Sequence, residues 1–332
     1  MFKKFVLGAL VGASAIALSS FAAGPALAKM ELKFGHVGAP GSLFEDSVNH
    51  FAECANGRLG DAAEVQTFGS SQLGKDRELL QKLKLGQIHF SLPSSVMSSI
   101  TEEFGIFEMP YIIQDRPHME RVRDAILDDV LQPAVKAKGY RILGVWENGF
   151  RHITNNVRPI NQPNDLEGVK LRTPKGAWRV KMFQGYGANP TPMAFSEVFT
   201  ALQTGVIDGQ ENPYAQIASA KFQEVQKYLS VTGHVYTPAY VLVSDSHFAK
   251  LPADVQATLQ DCAVETQDFV YQRAAELEIE LLQVIKDAGV EVNEADKPAF
   301  IEASKAVYDA FAEEVEGGAE LIDTVQGLAN AS

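Results

Sequence analysis

Arg172 stands in Gly168-Val-Lys-Leu-Arg-Thr-Pro174, at the carboxyl end of a short apolar run that reads as a strand closed by a Thr-Pro turn. Open α/β sheets bind ligands just outside the carboxyl ends of their strands. A guanidinium there can grip a carboxylate through two parallel charge-assisted hydrogen bonds, a geometry lysine lacks; the bland alternative is a surface ion pair. In Gly187-Ala-Asn-Pro-Thr-Pro-Met-Ala-Phe195 two prolines stiffen the backbone before an aromatic ring. Phe195 is then either an apolar wall for a ligand or an ordinary core residue. The segment Val206-Ile-Asp-Gly-Gln-Glu-Asn-Pro213 ends a strand in a glycine turn and leaves Asn212 an amide that both donates and accepts. Otherwise Asp208 and Asn212 brace the turn. Trp178 and Tyr214, close to these segments, are aromatic wall or core, and Phe150, His152, Tyr236 and Tyr240 are weaker candidates of the same kind.

The chemistry the chain lacks narrows its function. There is no nucleophile elbow, no Gly-x-Gly-x-x-Gly, no phosphate loop and no His-Glu-x-x-His. Gly185-Tyr-Gly187 is only a fragment of a dinucleotide motif and follows a helical pattern. The seven histidines are scattered, with no pair at metal-ligand spacing. The reading is a binding protein that needs no cofactor; whether a metal ion accompanies the ligand stays open. The rival is an extracytoplasmic lyase or isomerase that binds a carboxylate through Arg172 and uses a histidine such as His36 as base. A ligand-reporting subunit of a membrane sensor would share the same site.

Elements that could position these residues follow a repeating pattern. Strand-like runs at Glu31 to Val37, Glu64 to Phe68 and Ile88 to Leu92 alternate with helical patterns at Leu43 to Ala55 and Lys75 to Leu85. A helix from about Arg116 to Lys138 and a strand at Arg141 to Trp146 continue the series. It restarts after Gly149 with a strand around Arg151 to Thr154, a Pro/Asn-rich loop, Val169 to Arg172, and a helix beginning near Lys175. This is the α/β signature of two units with mainly parallel sheets. Tyr228 to Val235 and Tyr240 to Ser244 read as two strands split at Pro238, which cannot donate to a ladder.

From Pro252 to Gly289 neither Gly nor Pro intervenes, and the apolar positions step by three or four. That predicts one helix of about 34 residues, about 50 Å long, lying across both units. Two more helices, near Asp296 to Val315 and Ala319 to Leu328, finish the chain. The fold expected is two α/β domains, a two-lobed periplasmic-binding-protein-like architecture joined by hinge segments. Lobe I takes residues 29–149 plus 238–270 and lobe II residues 150–237 plus 271–332, with the helix at about 253–288 spanning both. A cleft between lobes is where a small ligand would sit.

Composition sets the compartment. Lys3 and Lys4, the apolar stretch from Phe5 to about Leu18, and Ala26-Leu-Ala28 form the three parts of a secretory leader over residues 1–28, cleaved near Ala28. No cysteine follows the apolar run, so a lipid anchor is not expected and the secreted product should be freely soluble. The formal net charge is -13, which argues against nucleic acid and anionic lipid as partners. Cys54 and Cys262 sit on apolar helix faces, and the sequence leaves a bridge and two buried thiols equally open.

Taken together, Arg151-His-Ile-Thr-Asn, Leu171-Arg-Thr-Pro, Asn189-Pro-Thr-Pro-Met-Ala-Phe-Ser-Glu-Val, Ala201-Leu-Gln-Thr-Gly and Asp208-Gly-Gln-Glu-Asn-Pro resemble the DctP family. These are solute-binding proteins of tripartite ATP-independent periplasmic (TRAP) transporters. Lys33-Phe-Gly-His and Ser71-Gln-Leu-Gly-Lys-Asp-Arg agree, so the similarity spans essentially the whole mature chain. The resemblance implies capture of a small organic acid and delivery to integral-membrane TRAP permease subunits. It further implies that Arg172 clamps the carboxylate, Arg151 assists, Phe195 packs on the ligand body and Asn212 bonds the carboxylate from the other side. His36 and Val37 fall in a first-strand loop that varies with substrate. Ser94 stands about where sialic-acid-binding members carry a glutamate, which argues against an amino-sugar acid.

Overall fold

The computed structural model describes Met1 and residues 29–329. The leader expected over residues 1–28 lies, apart from Met1, outside the described residues. The first strand, β1 (Met30–Gly35), runs parallel to β2 (Ala63–Phe68) and to the short β3 (Phe90–Ser91). Between them lie α1 (Leu43–Leu59), where Ser42 accepts the Glu45 amide as N-cap, and α2 (Asp76–Lys84). The helix expected from Arg116 to Lys138 is divided: α3 (Arg116–Ile126) passes through one wide π-turn at Leu127–Leu131 into α4 (Gln132–Ala137). Pro133 lies in the first turn of α4, where its missing N–H and fixed φ are tolerated.

The next strand, β4 (Tyr140–Asn155), is 16 residues long and fuses two runs that sequence reading separates. It is followed by β5 (Lys170–Thr173), α5 (Ala177–Gly185), β6 (Asn189–Pro192), α6 (Val198–Gln203), β7 (Gly209–Asn212) and α7 (Tyr214–Ser219). Then comes β8 (Tyr228–Ser244), 17 residues and also unbroken. Pro238 therefore does not divide two strands. It pairs with Glu147 beside a register shift at Glu147/Gly149, so its missing donor falls at an irregularity that the ladder already accommodates. Three such shifts along the β4–β8 pair let both strands bend without ending.

The sheet order is β2-β1-β3-β8-β4-β7-β5-β6, with β9 (Glu291–Glu294) beside β8. One hydrogen-bonded path thus runs through both halves of the molecule, with β4 and β8 at its centre. The hydrophobic interior is nonetheless divided. One cluster, containing Phe34, Phe51, Phe90 and Trp146, packs around β1–β3 and the first half of β4. Two smaller clusters, one with Leu171 and Phe183 and one with Val198 and Phe222, flank the sheet beyond Arg151. Each fully buried large apolar side chain contributes about 1.5–3 kcal/mol, so each half has its own core to hold it rigid.

After α8 (Asp245–Phe248), α9 (Ala253–Asp287) is the long helix, 35 residues. Its Val255, Leu259 and Val270 belong to the first core and its Ile285 to the third, so it joins the halves as the spacing predicts. Gly144 permits its approach: a Cβ there would stand 2.8 Å from the Ala263 carbonyl, the same oxygen that accepts the Trp146 indole N–H at 2.9 Å. The chain closes with α10 (Lys297–Ala303), α11 (Lys305–Glu314) and α12 (Gly318–Gly327). No helix among the described residues is long and apolar enough to cross a membrane.

The cysteines resolve to a disulfide between Cys54 on α1 and Cys262 on α9, with Cα atoms 5.8 Å apart and 208 positions apart in sequence. Closing so long a loop restricts the unfolded chain strongly. The double variant Cys54→Ser/Cys262→Ser should lose about 2–5 kcal/mol of unfolding free energy, read by urea denaturation; a midpoint equal to wild type would show that the bridge adds nothing.

Candidate ligand-binding site

A cavity of about 120 Å³ lies between the two halves. One wall comes from the first half: Val37 and Phe44, Asp76 at the start of α2, and Ser94 to Val96 after β3. The opposite wall comes from Arg172, Met193, Phe195, Asn212 and Gln216. Asn148 and Arg151 reach it from β4, the strand common to both halves. Lys75 and Glu197, one from each wall, meet at 2.7 Å in an exposed ion pair.

Arg172 sits on β5 between β6 and β7, opposite Thr191 and Gln210. Its Nε and Nη2 donate to the Met193 carbonyl at 3.1 and 2.8 Å, which holds the guanidinium plane. It is 4 % exposed, yet among the described residues no carboxylate lies within ion-pair reach and nothing accepts from Nη1. Burial lowers its pKa to about 10, with Glu211 and Asp76 opposing and Arg151 and Arg179 assisting. It remains a cation at neutral pH. A buried cation without a paired acid is costly, and an anion entering the cavity offsets that cost. Asp76 is half-buried beside it, its carboxyl raised by burial against the pull of Arg172.

Arg151 is bound differently. Its Nε donates to Glu211 Oε2 at 2.5 Å, and its Nη2 to Glu211 Oε1, the Glu211 carbonyl and Asn212 Oδ1 at 2.9, 2.7 and 3.1 Å. Arg179 Nη1 donates to the same carboxylate at 2.6 Å, and Arg179 also pairs with Glu108 at 2.9 Å. Burial alone would raise the Glu211 carboxyl; Arg151 and Arg179 instead hold it well below the usual range. Burial pushes Glu108 up to about 7 and His234 down to about 4. Neutral His234 donates from Nε2 to Glu211 at 3.1 Å. The charge of Arg151 is therefore compensated internally. Sequence reasoning missed Glu211, Arg179, Glu108 and His234, although an acid inside the short strand β7 between Gln210 and Asn212 has to find cations once that strand is central.

Five of the eight residues singled out from sequence come together at the cavity: Arg172, Arg151, Asn212, Phe195 and Ser94. Asn212 spends its amide N–H on Gln210 at 2.5 Å, and Phe195 stands edge-on to Phe222 at 5.6 Å. Three do not reach it. His36 is buried beneath the loop against Gly38 and Gly69, and burial lowers it to about 4; its neighbour Val37 takes the lining position. With its ring outside the cavity, His36 is not placed to act as a base there. Trp178 lies edge-on to Phe311 at 5.1 Å with Lys181 over its face, packing α5 on α11. Tyr214 stacks on His152 at 4.2 Å and, with Phe150, lines a separate hollow. Gln216, two positions on along α7, faces the ligand cavity in its place. Tyr236 packs on Phe150 and Tyr240 on Phe104.

The chain is similar to known proteins along most of its length. A family-wide sequence profile, DctP, the bacterial extracellular solute-binding proteins of family 7, matches residues 34–314. The C4-dicarboxylate-binding periplasmic protein DctP of Rhodobacter capsulatus is 35 % identical over 98 % of each chain. The structure of a sugar acid binding protein from Advenella mimigardefordensis in complex with galactonate superposes with a TM-score of 0.87 at 32 % identity, covering 91 % of this chain and 98 % of that one. A TRAP periplasmic solute-binding protein from a Polaromonas species bound to D-erythronate gives 0.87 at 34 % identity over 92 % and 100 %.

The buried histidine beside Glu211 yields a pH test. A histidine lowered to about 4 stays neutral in the folded state, while the unfolded chain takes up a proton below about 6.5. Its contribution is present above pH 6.5 and lost as pH falls towards 4. Glu108 and Glu147, both raised to about 7, act with the opposite sign between pH 7 and 4.5, so the clean measure is a difference. Stability of His234→Gln relative to wild type should rise by up to about 1.4 kcal/mol per pH unit on acidification from 6.5 to 4. A pH-independent difference in urea unfolding would show that His234 titrates normally.

Proposed function

The chain belongs to the DctP family, the bacterial extracellular solute-binding proteins of family 7, and from that premise we propose that it captures a small carboxylate in the periplasm for a TRAP permease. As a solute-binding protein it carries its ligand and performs no chemistry on it. The observation that carries the reading is Arg172: buried, half-satisfied by the Met193 carbonyl, lining the cavity and, among the described residues, without a carboxylate within ion-pair reach. The relatives' ligands, a C4-dicarboxylate, galactonate and erythronate, share a carboxylate and differ elsewhere. A clamp for that one common group is what Arg172 offers.

Capture proceeds by closure. In the open form Arg172 and Asn212 face a solvated cleft; a docked carboxylate draws in Val37, Phe44 and Ser94 from the other half, and Lys75 meets Glu197 at the mouth. The ligand shifts this equilibrium only as far as it binds the closed form better than the open one. We assign the bending to the crossings near Gly149 and Pro238, where β4 and β8 shift register, and to α9. The leader over residues 1–28 directs export and is removed near Ala28, leaving a freely diffusing carrier that docks on integral-membrane subunits.

Two measurements test the reading. In thermal-shift assays galactonate, D-erythronate and succinate should include at least one stabilising acid while neutral galactose has no effect; stabilisation by galactose with all three acids inert would overturn it. Replacing Arg172 by Lys keeps the charge but loses the planar fork, so affinity for the best acid should fall at least tenfold, about 1.4 kcal/mol. Calorimetry giving wild-type affinity for that variant would remove Arg172 from the site.

A further inference from the structure

Three polar side chains in the cavity form a relay whose direction is set from one end. Ser94 Oγ lies 2.7 Å from the Pro238 carbonyl, an acceptor with no proton to give, so the serine proton must point there. Ser94 Oγ can then only accept from Asn148, whose Nδ2 is 3.1 Å away. That orients the Asn148 amide with Oδ1 outward, where it accepts Gln216 Nε2 at 3.3 Å. The Gln216 amide is oriented in turn, and its Oε1 is left over. Gln216 is 3 % exposed, and Oε1 has no hydrogen-bond partner among the described residues. Ser95 Oγ, on the wall that carries Ser94, is likewise buried and unpartnered among the described residues. Leaving such an acceptor unmet costs the desolvation of that atom, so a ligand that brings a donor is favoured.

This end of the cavity is distinct from the carboxylate end. Asn148 belongs to β4 and Arg172 to β5, with β7 between them in the sheet, so the two groups meet different parts of a ligand. The relay's own strand offers it no free cation among the described residues: Arg151, the nearest on β4, is bound to Glu211 through three of its hydrogen bonds, and apart from Arg172 the other cations lining the cavity, Lys75, Arg77 and Lys175, belong to the start of α2 and to the loop after β5. A second carboxylate would face Gln216 Oε1 acceptor to acceptor, and an alkyl chain would leave it dry. A neutral hydroxyl satisfies it.

Building on the carboxylate reading above, we propose that Gln216 is a specificity-determining residue that accepts a hydrogen bond from a ligand hydroxyl. The ligand class is then hydroxylated monocarboxylates, in preference to dicarboxylates or unsubstituted acids. Ser94 is a positioning residue that acts through Asn148 and sets which atom Gln216 presents.

Calorimetric titration with two matched pairs, D-erythronate with butyrate and galactonate with hexanoate, together with succinate, tests this. At least one hydroxy acid should bind about a hundredfold or more tighter than its deoxy partner and tighter than succinate, because a site that hydrogen-bonds a hydroxyl rejects analogues lacking it strongly. In Gln216→Met the loss for that hydroxy acid should exceed the loss for its partner at least tenfold. Ser94→Ala, which frees the relay to reverse, should shrink the same ratio while retaining the acid's dependence on Arg172; it serves as the second variant should Gln216→Met not fold. Equal binding of hydroxy and deoxy acids, or tightest binding of succinate, overturns the proposal while leaving the carboxylate reading intact. An unchanged ratio in both variants also overturns it, whereas binding by none of the five acids removes the carboxylate reading and this inference with it.

Discussion

Glu211 serves two arginines and a histidine at once, and this sharing decides what the cavity can do. Its carboxylate satisfies Arg151 and Arg179 and accepts from His234, tying β4, α5, β7 and β8 into one buried electrostatic unit, with Glu108 joined from the first half through Arg179. With those cations answered internally, Arg172 is left as the buried guanidinium that no described acid pairs. Buried ion networks add little net stability over a well-packed apolar core. Their value here lies in placement: the network fixes Arg151 and Asn212 beside the cavity and leaves Arg172 as the guanidinium open to the carboxylate we propose.

The same division of labour runs through the backbone. Strands β4 and β8 belong to both halves, and two of the three local register shifts along their pairing, at Glu147/Gly149 and Arg151/Ile153, adjoin the cavity-lining Asn148 and Arg151. A sheet continuous in hydrogen bonds but divided in its cores can flex about those shifts while each core stays packed, because interiors resist deformation more than irregular ladders do. The disulfide anchors α9 to α1 near one end of that helix, and the remainder of α9 runs on to the other half. The closure we propose is thereby directed to the strands and the middle of the helix rather than to the first core.

Much of this was legible in the sequence, for identifiable reasons. Alternation and helical spacing located the elements, the uninterrupted run from Pro252 to Gly289 located the long helix, and local motifs singled out the Arg172 and Asn212 segments that line the cavity. What was not legible depends on pairing between distant segments. Pro238 reads as a break until Glu147 is seen opposite it. Trp178 and Tyr214 lie within a few residues of cavity-lining positions, but helical rotation turns them towards α11 and His152, and in the loop after β1 it is Val37 and not His36 that lines the cavity. Glu211 and Gln216 were unreadable because their significance lies in partners 60 and 68 positions away.

The overall charge poses a final question that the site answers locally. A protein of net charge -13 repels a small anion at long range, yet at physiological ionic strength this repulsion fades beyond about 8 Å. Inside that distance the charges lining the cavity decide the approach: Lys75, Arg77 and Lys175 stand against Asp76 and Glu78, and Glu197 pairs with Lys75. An incoming carboxylate therefore meets a mixed, nearly balanced margin before the interior, and low dielectric inside the closed cavity would then strengthen its proposed contact with Arg172. Net acidity of the molecule and a buried guanidinium in one cleft are compatible because screening separates the two length scales.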